Sequence, residues 1–490
     1  MAAVEPGGDI LDSREAGPRI IRGGVVRGVG YVVNNLVALV GVMLVTRYLG
    51  VADFGRFQTV LSLITVVATV TDAGMATLGM REYAQRSGAD REGLMRSLLG
   101  LRLTLSLCGA AIAAAIAAGI GYDWQLVAGA FLGGVGLALT VVQTTFAIPL
   151  SVQLRNFALT GLDVGRQVLT VGGYGIVILA GGGVLALLGV SVPVGIAMAV
   201  AAALLVRAQV PLRPSLQVRE WGRLLAASAA FVMATAVGTI YLFTAQILTA
   251  AVTDAHDTGL FAASFRVFVV LAAVPGLLIT VAFPLLSRAA RDDRDRLAYA
   301  VQRLVDTTGV LGPAVALVLV LGAPAVLEVV AGPDFVDAAP ALRIQAATLL
   351  ASFLLAPIGF ALLSIHAHRG ILVANALAFV VTVAAVTALA APLGPEGAAL
   401  GTVIGEWTLA LGYLVALRRE SRDTVPRFGA PARALAAAGA SCLAFAFLPL
   451  PSWLLAVCGV VVYAVLVLIV RAVPAELLEL LPVRRPRRRP

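Results

Sequence analysis

The sequence contains no lysine: all 36 of its basic residues are arginine. Only 13% of its 490 residues are charged, only 6% are aromatic, and it has three cysteines and three histidines. An ordinary soluble domain is about a quarter charged, so this composition excludes a cytosolic enzyme and a disordered regulator. Cys108, Cys442 and Cys458 all lie in apolar runs, with no CxxC pattern and no histidine at zinc spacing. That excludes a disulfide scaffold and a structural zinc site. His366-x-His368 and His256 read as solvated loop residues, since two histidines without further donors make a poor ligand set. No metal site and no cofactor is expected. The polar segment Met1–Pro18 lacks the basic-then-apolar order of a cleavable signal.

What the chain does have is hydrocarbon. Hydrophobic residues make up 60% of it, and a spanning helix needs about 20 apolar residues. Fourteen apolar runs stand out, at 28–47, 57–79, 94–121, 125–150, 160–181, 183–206, 223–250, 259–286, 304–331, 341–365, 370–391, 396–417, 431–448 and 452–471. They are too long and continuous for barrel strands, and an open sheet cannot satisfy its backbone in lipid. The predicted fold is therefore an all-α membrane protein of about 14 transmembrane helices.

The arginines orient these helices. Thirty of them fall in the N-tail, in the connections after even-numbered spans and in the C-tail, which ends in Arg484, Arg485, Arg487, Arg488 and Arg489. Only Arg47, Arg56 and Arg343 fall on the opposite side, among Asp123, Asp254, Asp257, Asp334, Asp337 and Glu396. Cytoplasmic connections carry the positive charge, so both termini are expected in the cytoplasm, with the chain in a plasma membrane. The Ala, Gly and Arg excess is what GC-rich codons encode and points to a bacterium. The net charge of +9 sits in short connections beside lipid, which speaks against nucleic acid. The terminal arginine run suits anionic headgroups.

The chain also repeats. Asp53-Phe54-Gly55-Arg56-Phe57 and Asp257-Thr258-Gly259-Leu260-Phe261 share D-x-G-x-F, 204 residues and six spans apart. An even number of intervening spans gives the two halves the same orientation. The expected organisation is an N-tail (1–27), an N-lobe of spans 1–6 (28–206), a cytoplasmic linker (207–222), a C-lobe of spans 7–12 (223–417), two accessory spans (418–471) and a basic tail (472–490). Secondary transporters built from such repeats bind substrate where the repeats meet.

Three segments carry a family likeness. Arg47-Tyr48-Leu49-Gly50-Val51-Ala52-Asp53-Phe54-Gly55-Arg56-Phe57 resembles the first external loop of oligosaccharide flippases in the multidrug/oligosaccharidyl-lipid/polysaccharide superfamily. The segment Ala331–Arg343 is similar to that family's loop before the tenth span, and Gly394–Thr402 to the start of its twelfth. The resemblance implies two lobes in a V, alternating access, and a basic residue on span 8 that lines the central cavity. Its substrate would be a polyprenyl-diphosphate-linked oligosaccharide, with membrane lipids, a polysaccharide polymerase and glycosyltransferases as partners.

Moving such a substrate makes no bond, so no catalytic residue is expected. The diphosphate needs a cation in low dielectric, and arginine suits it by its paired donors and permanent charge. Arg266 lies about 10 Å below the external end of span 8 among the apolar neighbours Phe265, Val267 and Phe268. It reads as a phosphate contact, or as an arginine that snorkels or pairs with another helix. Arg102 in span 3 reads either as a substrate contact or as a side chain snorkelling to cytoplasmic headgroups. Arg166 follows Asp163 at i,i+3, the spacing of a structural ion pair. Arg47 and Arg56 flank the first external loop, as a rim for phosphate or as interfacial charges paired with Asp53. Arg343 reads as a loop pair with Asp334 or Asp337. Asn34 and Asn35 face a cavity or bond a neighbouring helix. Asp72 in span 2 and Glu406 in span 12 are the candidates for coupling to Na⁺ or H⁺, or for salt bridges within a lobe. Gly397, Gly401 and Gly405 precede Glu406 as a small-residue stripe suited to close packing.

Two other functions compete. A cation-coupled drug exporter of the same superfamily would favour an acidic, aromatic cavity. A membrane glycan polymerase or glycosyltransferase would need an extramembrane catalytic face, and the external loops reach only about ten residues. The arginine bias yields a direct check of the topology. Reporter fusions after Arg86, Arg213, Arg294 and Arg422 should read cytoplasmic, and fusions near Asp123, Asp254 and Pro395 external. One clear reversal among them would overturn the fourteen-span arrangement.

Overall fold

The computed structural model describes residues 16–72, 74–210, 213–292 and 294–472. Arg14 of the N-tail and the arginine run at 484–489 lie outside the described residues. The first part of the chain forms α1 (Ala16–Asp72), α2 (Met75–Gln85), α3 (Gly88–Gly119), α4 (Trp124–Phe146), α5 (Ile148–Val152), α6 (Asn156–Leu179), α7 (Val184–Gly189) and α8 (Ser191–Val206). There follow α9 (Val218–Val252), α10 (Ala255–Asp292), α11 (Arg294–Val330), α12 (Ala339–Ser364), α13 (His368–Glu420), α14 (Gly429–Phe445) and α15 (Ser452–Ile469). No strand occurs among the described residues.

Eleven of the described helical stretches are long and apolar enough to cross a membrane, and they account for thirteen of the fourteen predicted spans. Straight helices of 57 and 53 residues would run about 80 Å, far beyond a core of about 30 Å. Both α1 and α13 are instead kinked at a glycine with positive φ, Gly50 (71°) and Gly394 (56°), and each holds two predicted spans. The seventh span is α9, apolar over Ile240–Val252. Spans 4 and 6 are each interrupted by a proline. Pro149 and Pro193 lack an N–H and crowd the carbonyl four residues back, so α4 gives way to α5 and α7 to α8 just before them.

By internal contacts the chain divides into two compact units. Unit 1 holds the residues up to Leu49 together with Leu63–Ala236; unit 2 holds Gly50–Ser62 together with the residues from Val237 on. In unit 1 the core gathers Leu94, Leu98, Phe146, Val194 and Met198. The connection after α8 belongs to this unit because it is tied down there. Ser215 N–H donates to Arg96 O at 3.0 Å, and Arg86 bridges Glu82 (2.8 Å) and Glu220 (3.4 Å).

Unit 2 brings the two D-x-G-x-F segments into contact. A Cβ on Gly55 would lie 2.6 Å from Gly259 N and 2.8 Å from Ala255 O. The glycine of each copy is therefore needed for a backbone-to-backbone crossing that no side chain would permit. Phe54 of the first copy packs edge-on against Phe335 at 5.6 Å. In the second copy, Phe261 stacks on Phe265 at 5.4 Å. The accessory helices α14 and α15 pack on α11, where Tyr463 Oη donates to Val310 O at 2.6 Å, and on each other, where Ser441 Oγ donates to Gly459 O at 2.7 Å. An apolar cavity of about 300 Å³ lies beside α14, lined by Gly312, Phe353, Trp407, Leu411 and Pro431 among others.

Candidate functional site

In unit 1 the sequence candidates Asp72 and Arg102 meet. Asp72 ends α1, and Gly74, with φ 63°, turns the chain before α2 begins. Arg102 of α3 is 2% exposed and forms a salt bridge with Asp72. It also donates to Thr145 Oγ1 at 2.7 Å and Thr144 Oγ1 at 3.2 Å on α4. One guanidinium thus holds the break in span 2, α3 and α4 together. The snorkelling alternative does not occur, because Asp72 supplies a counter-charge within the helices. The carboxylate in turn is committed to Arg102.

In unit 2 the candidate Glu406 is 8% exposed on the second half of α13. Tyr241 Oη donates to one of its oxygens at 2.6 Å, and Ser352 Oγ to the other at 2.7 Å. Beside it lies a cavity with room for about one water molecule, lined by Thr348, Thr382, Thr402, Phe265 and Phe268 with Tyr241 and Glu406. The glycine stripe explains how Glu406 gets there: Gly397, Gly401 and Gly405 set the second half of α13 directly against Leu389, Val386 and Thr382 of the first. A carboxylate, a phenol and three threonine hydroxyls around so small a space can hold a proton or a small monovalent cation.

Arg266 is half-buried on α10, beside the aromatic cluster of Phe243, Phe261, Phe265 and Phe268. Arg56 pairs with Asp53 at 3.2 Å, each side chain 47% exposed, which matches the interfacial reading; Arg47 is exposed. Asn35 is exposed and donates back to Tyr31 O at 2.8 Å. Asn34 is half-buried, with Oδ1 enclosed. Arg343 donates to Val320 O at 3.1 Å rather than to Asp334 or Asp337. The expected pair of Asp163 with Arg166 is absent as well: Asp163 lies 3.8 Å from Arg27 of α1. The sequence reading missed Tyr241 and Ser352, whose hydroxyls look like any others in an apolar run. Among the described residues no group of three or more His, Cys, Asp or Glu is placed to hold a metal ion.

A family model described as "Polysaccharide biosynthesis protein" matches residues 44–340. No curated protein sequence matches. The fold is similar to the lipid II flippase MurJ in an inward closed conformation, with TM-score 0.77 and 11% identity over 93% of this chain and all of that one. It is also similar to an inward-facing multidrug resistance MATE family transporter, with TM-score 0.63 and 17% identity over 80% of this chain and 95% of the other. A transporter of the same superfamily from Pyrococcus furiosus aligns with TM-score 0.54 and 18% identity, over 83% and 96%.

The Asp72–Arg102 pair can be tested by removing its halves in turn. Asp72→Asn leaves a buried guanidinium without its counter-charge and should cost about 1–3 kcal/mol of stability, less than a fully buried pair because Asp72 is 36% exposed. The thermal midpoint in detergent should fall, and adding Arg102→Met should restore most of it. An unchanged midpoint in Asp72→Asn would show that the bridge carries no weight.

Proposed function

Because this chain belongs to the polysaccharide biosynthesis protein family, we propose that it is a flippase. It carries a polyprenyl-diphosphate-linked oligosaccharide across the bacterial plasma membrane by alternating access, for the assembly of a surface polysaccharide. The observation that carries this reading is the coincidence of that family with a full-length fold likeness to a lipid II flippase. The chain is a multi-pass membrane protein. Both termini lie in the cytoplasm on this reading, glycosyltransferases supply the substrate there, and a polymerase consumes it outside. The step makes and breaks no bond, so the protein acts as a transporter rather than an enzyme.

The glycan crosses as a hydrophilic group, while the polyprenyl chain stays in lipid. The diphosphate is the part that low dielectric penalises most, and Arg266 offers it a fixed charge about 10 Å inside the membrane. A second reading, export of cationic drugs, is favoured by the MATE likeness. It fits poorly with an arginine at that depth, and drug resistance conferred on a hypersensitive host by the wild-type chain would support it.

Glu406 is assigned the coupling role. Asp72 is neutralised by Arg102, whereas both donors to Glu406 are uncharged hydroxyls beside a cavity of ionic size. Glu406→Gln preserves the shape but cannot titrate or carry charge. In vesicles it should transport at a rate indifferent to an imposed Na⁺ or proton gradient, while the wild type accelerates under one of them. Equal gradient dependence in both proteins would remove Glu406 from coupling.

The phosphate role of Arg266 predicts an ordered series. Arg266→Ala should abolish flipping without lowering membrane expression. Arg266→Lys should keep partial activity, because a point charge still attracts phosphate but loses the paired geometry. Arg266→Glu should be worse than alanine. The measurement is complementation normalised to folded protein in the membrane, and normal flipping by a well-expressed Arg266→Ala would refute the contact.

A further inference from the structure

The charges along α1 and α6 pair in an order that leaves one arginine over. Arg27 approaches Asp163 Oδ2 at 3.8 Å and donates from Nε to Asn156 Oδ1 at 3.4 Å. Arg166 is left without an ion pair among the described residues, and its Nε is enclosed without a hydrogen-bond partner. Two more polar atoms on these helices are enclosed in the same condition, Asn34 Oδ1 on α1 and Thr160 Oγ1 on α6.

The helices lie in a fixed register. Gly30 meets Thr160 and Gly41 meets Val171, both pairs offset by 130 residues, so α1 and α6 run side by side in the same direction. Asn34 is therefore level with Val164, within a turn of Arg166. Arg166 stands six residues into the apolar run at 160–181, about 9 Å along it and so within a core of about 30 Å. The strip it belongs to is open, because the Arg27 and Asp163 side chains are 48% and 51% exposed. A charge turned to lipid at that depth is expensive, whereas one turned to water or a polar ligand is not.

We infer that Arg166 is a second oxyanion site of the transport path, one that takes a phosphate of a polyprenyl diphosphate within the membrane on unit 1. Arg27 neutralises Asp163, which would otherwise repel the ligand. The inference rests on the flippase reading, and adds to Arg266 a stop on the other unit of the chain.

The test uses the full chain in phosphatidylcholine nanodiscs, with polyprenyl diphosphate as the probe. Arg166→Gln should weaken binding about tenfold or more, and Arg166→Lys should recover part of the loss. Asp163→Asn should bind as tightly as the wild type or tighter, since it removes a repulsive charge; this arm decides the matter if Arg166→Gln does not fold. Equal losses in Asp163→Asn and Arg166→Gln would show a structural ion pair and overturn the inference, as would unaltered binding by Arg166→Gln. Phosphatidylglycerol should displace the probe only weakly. Displacement at equal mole fraction would assign the site to bilayer headgroups and overturn the assignment to substrate. A wild-type chain that does not bind the probe at all would remove the flippase reading, and this inference with it, whereas a defect confined to the Arg166 variants' predicted pattern leaves that reading intact.

Discussion

Hydrocarbon does not solvate charge, and an ionised side chain at the centre of a bilayer costs at least about 2.5–3.5 kcal/mol. Most of what is particular to this chain is an answer to that cost. Thirty of its arginines stay in the tails and in the connections that follow even-numbered apolar runs. Arg102, which lies inside α3, is matched by Asp72 and two threonine hydroxyls. Glu406 receives two neutral donors instead of a cation. The difference is functional on the present account: a carboxylate held by hydroxyls can lose or gain a small cation, and one held by arginine cannot do so without exposing the arginine.

A second constraint is close approach. Lipid tails are as apolar as leucine, so helices in a membrane gain by packing their backbones closely. Gly55 against Gly259 and the Gly397, Gly401 and Gly405 stripe of α13 are the places where this chain does so. The first contact joins the two copies of the repeated segment. The second sets Glu406 beside Tyr241 and Ser352. Glycines that carry no chemistry thus position the groups that do.

The architecture was legible in the sequence because its causes are local. An apolar run of about 20 residues, a basic connection and a proline each act where they stand. The kinks at Gly50 and Gly394 fall in the first and last segments of the family resemblance. The site was legible only as a set of names. Asp72 and Arg102 were both singled out, but their pairing spans 30 residues and two helices. The i,i+3 spacing of Asp163 and Arg166 pointed to a pair that Arg27 pre-empts from another helix. Short-range spacing shows which pairs a helix permits, and the neighbouring helix decides which of them forms. The division of the chain is a similar case. The linker at 207–222 reads as a boundary by charge, yet Ser215 and Glu220 fasten it to unit 1.

The central claim is that this chain moves a lipid-linked saccharide between leaflets. The most direct measurement is made on the purified protein in proteoliposomes that carry a polyprenyl-diphosphate-linked saccharide labelled in the sugar. An externally added, membrane-impermeant glycosidase reports how much sugar is accessible with time. The account predicts that nearly all the substrate becomes accessible in vesicles with protein, while protein-free vesicles stop at the share that began in the outer leaflet. An accessible fraction that stays at that outer-leaflet share in both kinds of vesicle would contradict it.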